Sequence, residues 1–233
     1  MPEIFIQDSE FGLIKVCYNT RVKRLIFRVK DGVLQVTAPY KTETKVIEES
    51  IQRKRTAIRG LFAKTTTNIL RAGDEIATRV VPIRIYSHNL SKLLFTLKDN
   101  TLNVFVPQSA ETETVSIQKR IKQGIITILR RVAEPYLHAR LDALAKAKGV
   151  KYNKLTISTA LTRMGSCSVK KDISLSVYLI FYPQHLVDYV MLHELAHLTE
   201  MNHSLRFHAL CNNYCEGRER ELEQEFKQFR IPL

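Results

Sequence analysis

The chain has 233 residues, 45% hydrophobic and 25% charged, with a formal net charge of +13 and no low-complexity tract. These values exclude an intrinsically disordered chain and allow one or two domains around a sizeable core. No apolar run approaches the ~20 residues of a membrane span, and the four cysteines form no C-x-x-C pair and no disulfide framework.

The start, Met1-Pro2-Glu3-Ile4-Phe5, carries neither a basic nor an apolar leader region, so a reducing cytoplasm is the expected address, with no membrane partner. The positive excess fits polyanionic company such as nucleic acid or nucleotides. It fits a generally basic surface equally well, since Lys and Arg are spread along the chain.

In chain order, residues 13–18, 25–29 and 33–36 read as short strands, the last two joined by the turn residues Asp31-Gly32. Pro39 closes that segment. A helix follows with apolar positions Val46, Ile47, Ile51, Ile58, Leu61 and Phe62 at steps of three, four or seven. Its other face carries Arg53, Lys54, Arg55 and Arg59, a solvated face or a nucleic-acid face. After a turn at Gly73-Asp74-Glu75, residues 80–86, 93–97 and 102–106 read as strands, with a turn at Asp99-Asn100. A second helix opens near Thr112 to Thr114 and runs, with a break expected at Pro135, to about Lys148, where Gly149 stops it.

A shift of 68 residues lays Phe27 on Phe95, Lys30 on Lys98, Asp31 on Asp99, Leu34 on Leu102, Val36 on Val104 and Pro39 on Pro107. A hairpin feeding a helix therefore occurs twice, through duplication or through the turn and apolar positions that any two such units share. The expected division is 1–72, strands plus helix as scaffold; 73–149, a second strand and helix unit; and 150–233, the metal-binding catalytic region. These pack as one or two compact domains.

Residues 154–158 read as a strand, and Arg163-Met164-Gly165-Ser166-Cys167-Ser168 as a short polar stretch. Residues 173–180 alternate apolar with small or polar residues, as a strand with one buried face does. At a sheet edge such a strand would hold an extended peptide by strand addition. Pro183 suits the first turn of the next helix, where Leu186, Val187, Val190, Met191 and Leu195 form an apolar stripe and His185 is a surface residue. Cys211 and Cys215 read as small apolar helix residues.

On that helix stands His193-Glu194-Leu195-Ala196-His197, the H-E-x-x-H spacing that puts two imidazoles on one face with a carboxylate beside them. Neutral imidazole suits Zn²⁺, one per chain, and Glu194 would take a proton from zinc-bound water as it attacks a peptide carbonyl. A left-handed turn at Asn202 is expected to swing His203 back as third ligand, with Ser204 capping a helix that carries Phe207, Leu210, Cys211 and Tyr214. His208, Glu216 and Glu219 are the competing ligands. Arg163 and Arg206 are candidates for substrate or oxyanion contacts, and His208 also for a partner behind the metal ligands.

Arg163-x-Gly165-Ser166-Cys167, the strand at 173–175, the H-E-x-x-H segment and Asn202-His203-Ser204-x-x-Phe207 resemble the YgjP-like bacterial metal-dependent hydrolases, relatives of SprT-type metallopeptidases. Arg28-Val29 and Val36-Thr37-Ala38-Pro39 are similar as well. The resemblance implies a zincin-like fold with His193, His197 and His203 as zinc ligands and Glu194 as the catalytic glutamate. The family usually has Trp where Met164 and His208 stand, and this chain has none.

The fold class expected is α+β, a zincin-like C-terminal metallohydrolase region behind an N-terminal hairpin and helix scaffold. The leading function is a metallopeptidase. Two others are a nucleoside triphosphate pyrophosphatase acting on a phosphoanhydride, and a nucleic-acid-associated binding module or a protease acting on DNA-bound protein.

Overall fold

Alternating burial along two parallel-paired strands builds the first sheet of this computed structural model, which describes residues 3–30, 32–65, 69–108 and 110–233. Strands β1 (Glu3–Asp8), β2 (Gly12–Asn19), β3 (Ile26–Lys30) and β4 (Val33–Pro39) lie in the order β1-β2-β4-β3. β2 and β4 run parallel; the outer pairs are antiparallel. Ile14, Val16, Leu34, Val36 and Ala38 are fully buried and form one core with Ile47, Ile51 and Ile58 of helices α1 (Thr44–Arg53) and α2 (Arg55–Thr65). The sequence predicted one helix here. Lys54, at φ −107 and ψ 13, leaves the helical region and divides it, and Val46 is exposed rather than in the core. Asp31 lies outside the described residues; Gly32 takes φ +76.

Arg55 and Arg59 do not stand free. Arg55 pairs with Asp8 at 2.8 Å and with Glu10 at 2.5 Å, and Arg59 pairs with Glu10. The Asp8 carboxylate also accepts from the backbone N–H of Glu10 (2.9 Å) and Phe11 (3.0 Å). Burial raises its pKa, but those N–H donors and the Arg55 guanidinium outweigh burial and hold it below the ordinary aspartate value. A depressed carboxyl stabilises above its unfolded pKa and loses that contribution as pH falls through the folded value. Asp8→Ala is expected to lower stability by roughly 1–3 kcal/mol at neutral pH and to flatten the acid limb, both read from denaturant unfolding at several pH values.

The chain divides into two compact units, Met1–Asn68 and Ile69–Leu233. The second begins with β5 (Glu75–Ile76), β6 (Ile83–His88), β7 (Leu94–Lys98) and β8 (Thr101–Pro107), ordered β5-β6-β8-β7, again with a parallel inner pair. Phe95 faces Val104 as Phe27 faces Val36, so the antiparallel pairing repeats at the 68-residue offset. Thr114 caps α3 (Val115–Ala147), its hydroxyl accepting from Ile117 N–H at 3.4 Å. The helix runs through Pro135 without the expected break. Pro135 lies on the exposed side, while Ala133, Leu137 and Leu141 hold the turns around it in the core. Gly149, at φ +66, ends the run as expected.

The site-bearing part follows. β9 (Lys154–Ser158), β10 (Gly165–Cys167) and β11 (Asp172–Ser176) form a sheet ordered β10-β11-β9. Then come a 3₁₀ turn (Val177–Phe181), α4 (Gln184–Ala196), α5 (Leu205–Tyr214) and α6 (Glu219–Gln228). The strand read over 173–180 is shorter than expected and does not lie at the edge that peptide pairing would require. β11 is central and stops at Ser176, whose buried hydroxyl donates to Ala160 O at 2.6 Å and accepts from Tyr178 N–H. The edge beside the motif helix is β10, from the stretch read as short and polar. α4 is fixed to α3 by Arg140 on Asp188 (2.6 Å) and by Tyr136 donating to Gln184 (2.7 Å), and its Leu186, Val187, Met191 and Leu195 are fully buried. Among the described residues, no helix is long and apolar enough to cross a membrane.

Candidate metal centre

His193 and His197 sit one turn apart at the end of α4, their ring centroids 5.0 Å apart. The helix stops at Ala196, and tight turns follow, with the N–H groups of Thr199 and Glu200 both donating to Ala196 O. The return of the chain does not use a left-handed Asn202: positive φ among described non-glycine residues falls at Lys41, Asp99, Asn100, Lys171 and Glu216. Instead Ser204 N–H closes on Asn202 O at 2.7 Å, and the Ser204 hydroxyl caps α5 by accepting from Phe207 N–H. This cap seats Phe207, fully buried, beneath the three imidazoles. Its ring stacks on His197 at 4.4 Å and meets His193 and His203 edge-on at 4.9 and 4.8 Å.

The donor atoms of His193, His197 and His203 all lie within 4.8 Å of one another. The Nε2 atoms of His193 and His203 face each other at 3.1 Å. His197 Nδ1 is 3.1 Å from Glu200 O; a carbonyl only accepts, so that nitrogen carries the proton and leaves Nε2 a free lone pair. Burial, then the neighbouring His197, His203 and His208, push His193 down to about 4. Burial also lowers His197, against the opposing Glu200 carbonyl. His193 and His197 are thus neutral at pH 7, the form that ligates a divalent ion.

Glu194, 5% exposed, shares the cavity, and its Oε2 has no hydrogen-bond partner among the described residues. Burial pushes its carboxyl up to about 7, with Arg163 pulling weakly the other way. The cavity holds about 240 Å³, and Ser166, Cys167 and Met201 complete its wall. A larger hollow of about 700 Å³ beside the end of α3 contains none of these groups. Three convergent imidazoles and the Glu194 carboxyl beside them make a donor set that fits an imidazole-preferring metal ion with room for a reacting group.

The family model for the YgjP-like metallopeptidase domain matches residues 23–229. The chain belongs to the YgjP-like family. Membership makes it a metal-dependent hydrolase of the peptidase class. No curated protein matches it. Among solved structures, the metallopeptidase zymogen jannalysin of Methanocaldococcus jannaschii is 23% identical over 40% of this chain and 94% of that one, TM-score 0.36. The zymogen abylysin of Pyrococcus abyssi is 21% identical over 42% and 99%, TM-score 0.36.

The remaining candidates in this YgjP-like chain are dispersed. Arg163 is exposed and does not line the cavity, but stands within Coulombic reach of Glu194. Arg206 is exposed on the first turn of α5 and does not line the cavity. His208 turns to Glu219, Nδ1 to Oε1 at 2.8 Å, its ring 6.3 Å from that of His203. Glu216 is exposed at a left-handed position. The sequence reading assigned no role to Gly165, which lies against Glu194, or to Phe207 as the floor of the site. Phe207 appeared there as one apolar position of a helix and as a letter of the family motif, without a place in the site.

Proposed function

We propose that the chain is a zinc-dependent peptidase in which His193, His197 and His203 hold one Zn²⁺ and Glu194 is the general base. One observation carries the reading: three imidazole donors converge within 4.8 Å in a cavity shared with buried Glu194, whose Oε2 has no partner among the described residues. When bound, zinc supplies Lewis-acid polarisation and acidifies a water.

The chain's own residues do the rest. Glu194 Oε2, free of other partners, takes a proton during attack and returns it to the leaving amine; a carboxyl raised toward neutrality is tuned for both directions. β10 is the outer strand of its sheet and lines the cavity, and an extended peptide aligns along it by strand addition. Arg163 faces developing oxyanion charge, while Arg206 contributes at most to the rim. His208, held by Glu219, steadies His203 from behind. In this reading β9 to β11 with α4 and α5 form the zincin-like part, and the two matching four-stranded sheets descend from a duplication.

The test is a substrate screen of the zinc-loaded protein against casein-like chains and each nucleoside triphosphate. Peptide cleavage is the expected result. Pyrophosphate release without peptide cleavage would transfer the site to the nucleotide reading. DNA binding with a steep salt dependence would add a nucleic-acid partner; Arg55 and Arg59, already paired with carboxylates, are not its expected contacts.

A further inference from the structure

Gly165 lies on β10, its backbone outside the left-handed region, so chain conformation does not call for a glycine there. Space does. A Cβ built at Gly165 would stand 2.6 Å from Glu194 Cγ and 2.8 Å from Cδ, and closer still to Oε1, distances that real contacts do not reach. Neither backbone can retreat. Gly165 pairs with Leu175 in the register of β11, and Ser176 N–H donates to Met164 O at 2.8 Å, fixing the start of the edge strand. On the other side, Met191 and Leu195 anchor α4 in the core, both fully buried. The Glu194 side chain is the element that must yield.

We propose that Gly165 is a positioning residue for Glu194: the missing side chain on the edge strand is the slot that holds the carboxyl beside the three imidazoles. The proposal rests on Glu194 being the general base, and extends it by naming what sets the carboxyl's place. An added methyl displaces the carboxyl by an ångström or more, a misplacement that costs on the order of 10²-fold in rate.

The experiment is a double-mutant cycle of Gly165→Ala with Glu194→Ala, read first by thermal unfolding of the zinc-free proteins. Gly165→Ala is expected to lower Tm in the wild-type background and to leave it unchanged in Glu194→Ala, where the three atoms nearest the methyl are gone. Where Gly165→Ala alone fails to fold, recovery of a folded protein in the double variant gives the same result. Equal Tm losses in both backgrounds would overturn the proposal.

The second readout separates positioning from a merely structural role. Gly165→Ala is expected to keep one zinc per chain by elemental analysis and a KM within a few-fold of wild type, while kcat falls about 10²-fold. Wild-type kcat in Gly165→Ala would likewise overturn it. Should the wild type cleave no peptide at all, the peptidase reading fails, and the stability cycle still decides whether Gly165 places the carboxyl.

Discussion

Glu194→Gln is expected to keep zinc at one per chain while lowering peptide hydrolysis by about 10²–10⁴-fold, the range that loss of a general base produces. The amide preserves the volume of the side chain and cannot accept the proton. Undiminished turnover in this variant would remove the mechanism. A second effect runs in the opposite direction. Glu194 is 5% exposed with an unpartnered Oε2, so its charged form is poorly solvated and the native fold bears the cost. Its folded pKa of about 7 lies above the ordinary value of 4.5, so the folded state binds a proton more tightly than the unfolded one. The associated stability is present below the unfolded pKa and lost as pH rises through the folded value. In the metal-free protein Glu194→Gln should therefore raise Tm, with an advantage that appears above about pH 4.5 and is complete a little above pH 7. Calorimetry across that window, beside elemental analysis and progress curves, reads both effects. A gain in stability with a loss of activity is the signature of a residue kept for chemistry.

The metal helix was legible because its signals are local: spacing places His193 and His197, and an apolar stripe keeps α4 in the core. The Ser204 cap and the Gly149 stop were legible for the same reason. What the sequence concealed depends on tertiary context. Ser176 is fully buried but satisfied by Ala160 O, so a polar letter in an alternating run looked like a solvent-facing position. The true edge, Gly165–Cys167, has three small residues with little strand propensity, and pairing with β11 alone makes it a strand. β1 was missed because exposed Phe5 stands between the inward-facing Ile4 and Ile6, so the alternation of burial does not show in the letters. Pro135 was overweighted: the buried residues on both sides hold α3 continuous against the ~3 kcal/mol a helix-interior proline costs. At Asn202 a permissive residue was mistaken for a required conformation; the return of His203 comes from the tight turns after Ala196 and the cap at Ser204.

Zinc content should fall from one per chain to near zero in His193→Ala and in His203→Ala, and remain at one in His208→Ala. The geometry makes the distinction. His193 and His203 present Nε2 atoms to each other at 3.1 Å, whereas His208 Nδ1 is engaged by Glu219 at 2.8 Å. Removing a residue that only steadies a ligand typically weakens metal affinity by 10–100-fold without emptying a site at saturating metal, and competition with a chelator of known affinity resolves that range. Retention in His203→Ala with loss in His208→Ala would exchange their roles. A metal held by these imidazoles would bind the folded state, so zinc at 100 times its Kd should add about 2.7 kcal/mol to stability, measured as a rise in Tm. The same ligands set the acid limit. His193 falls to about 4 in the metal-free fold from an ordinary 6.5, so between those values the unfolded chain takes up the proton first. The contribution is present above 6.5 and is lost as pH falls toward 4. In that window the metal-free protein should lose stability and the loaded protein should release zinc, since protons and metal compete for the same nitrogens. In His193→Ala, with the nitrogen gone, the metal-free acid limb should flatten; an unchanged limb would assign the acid sensitivity to other groups.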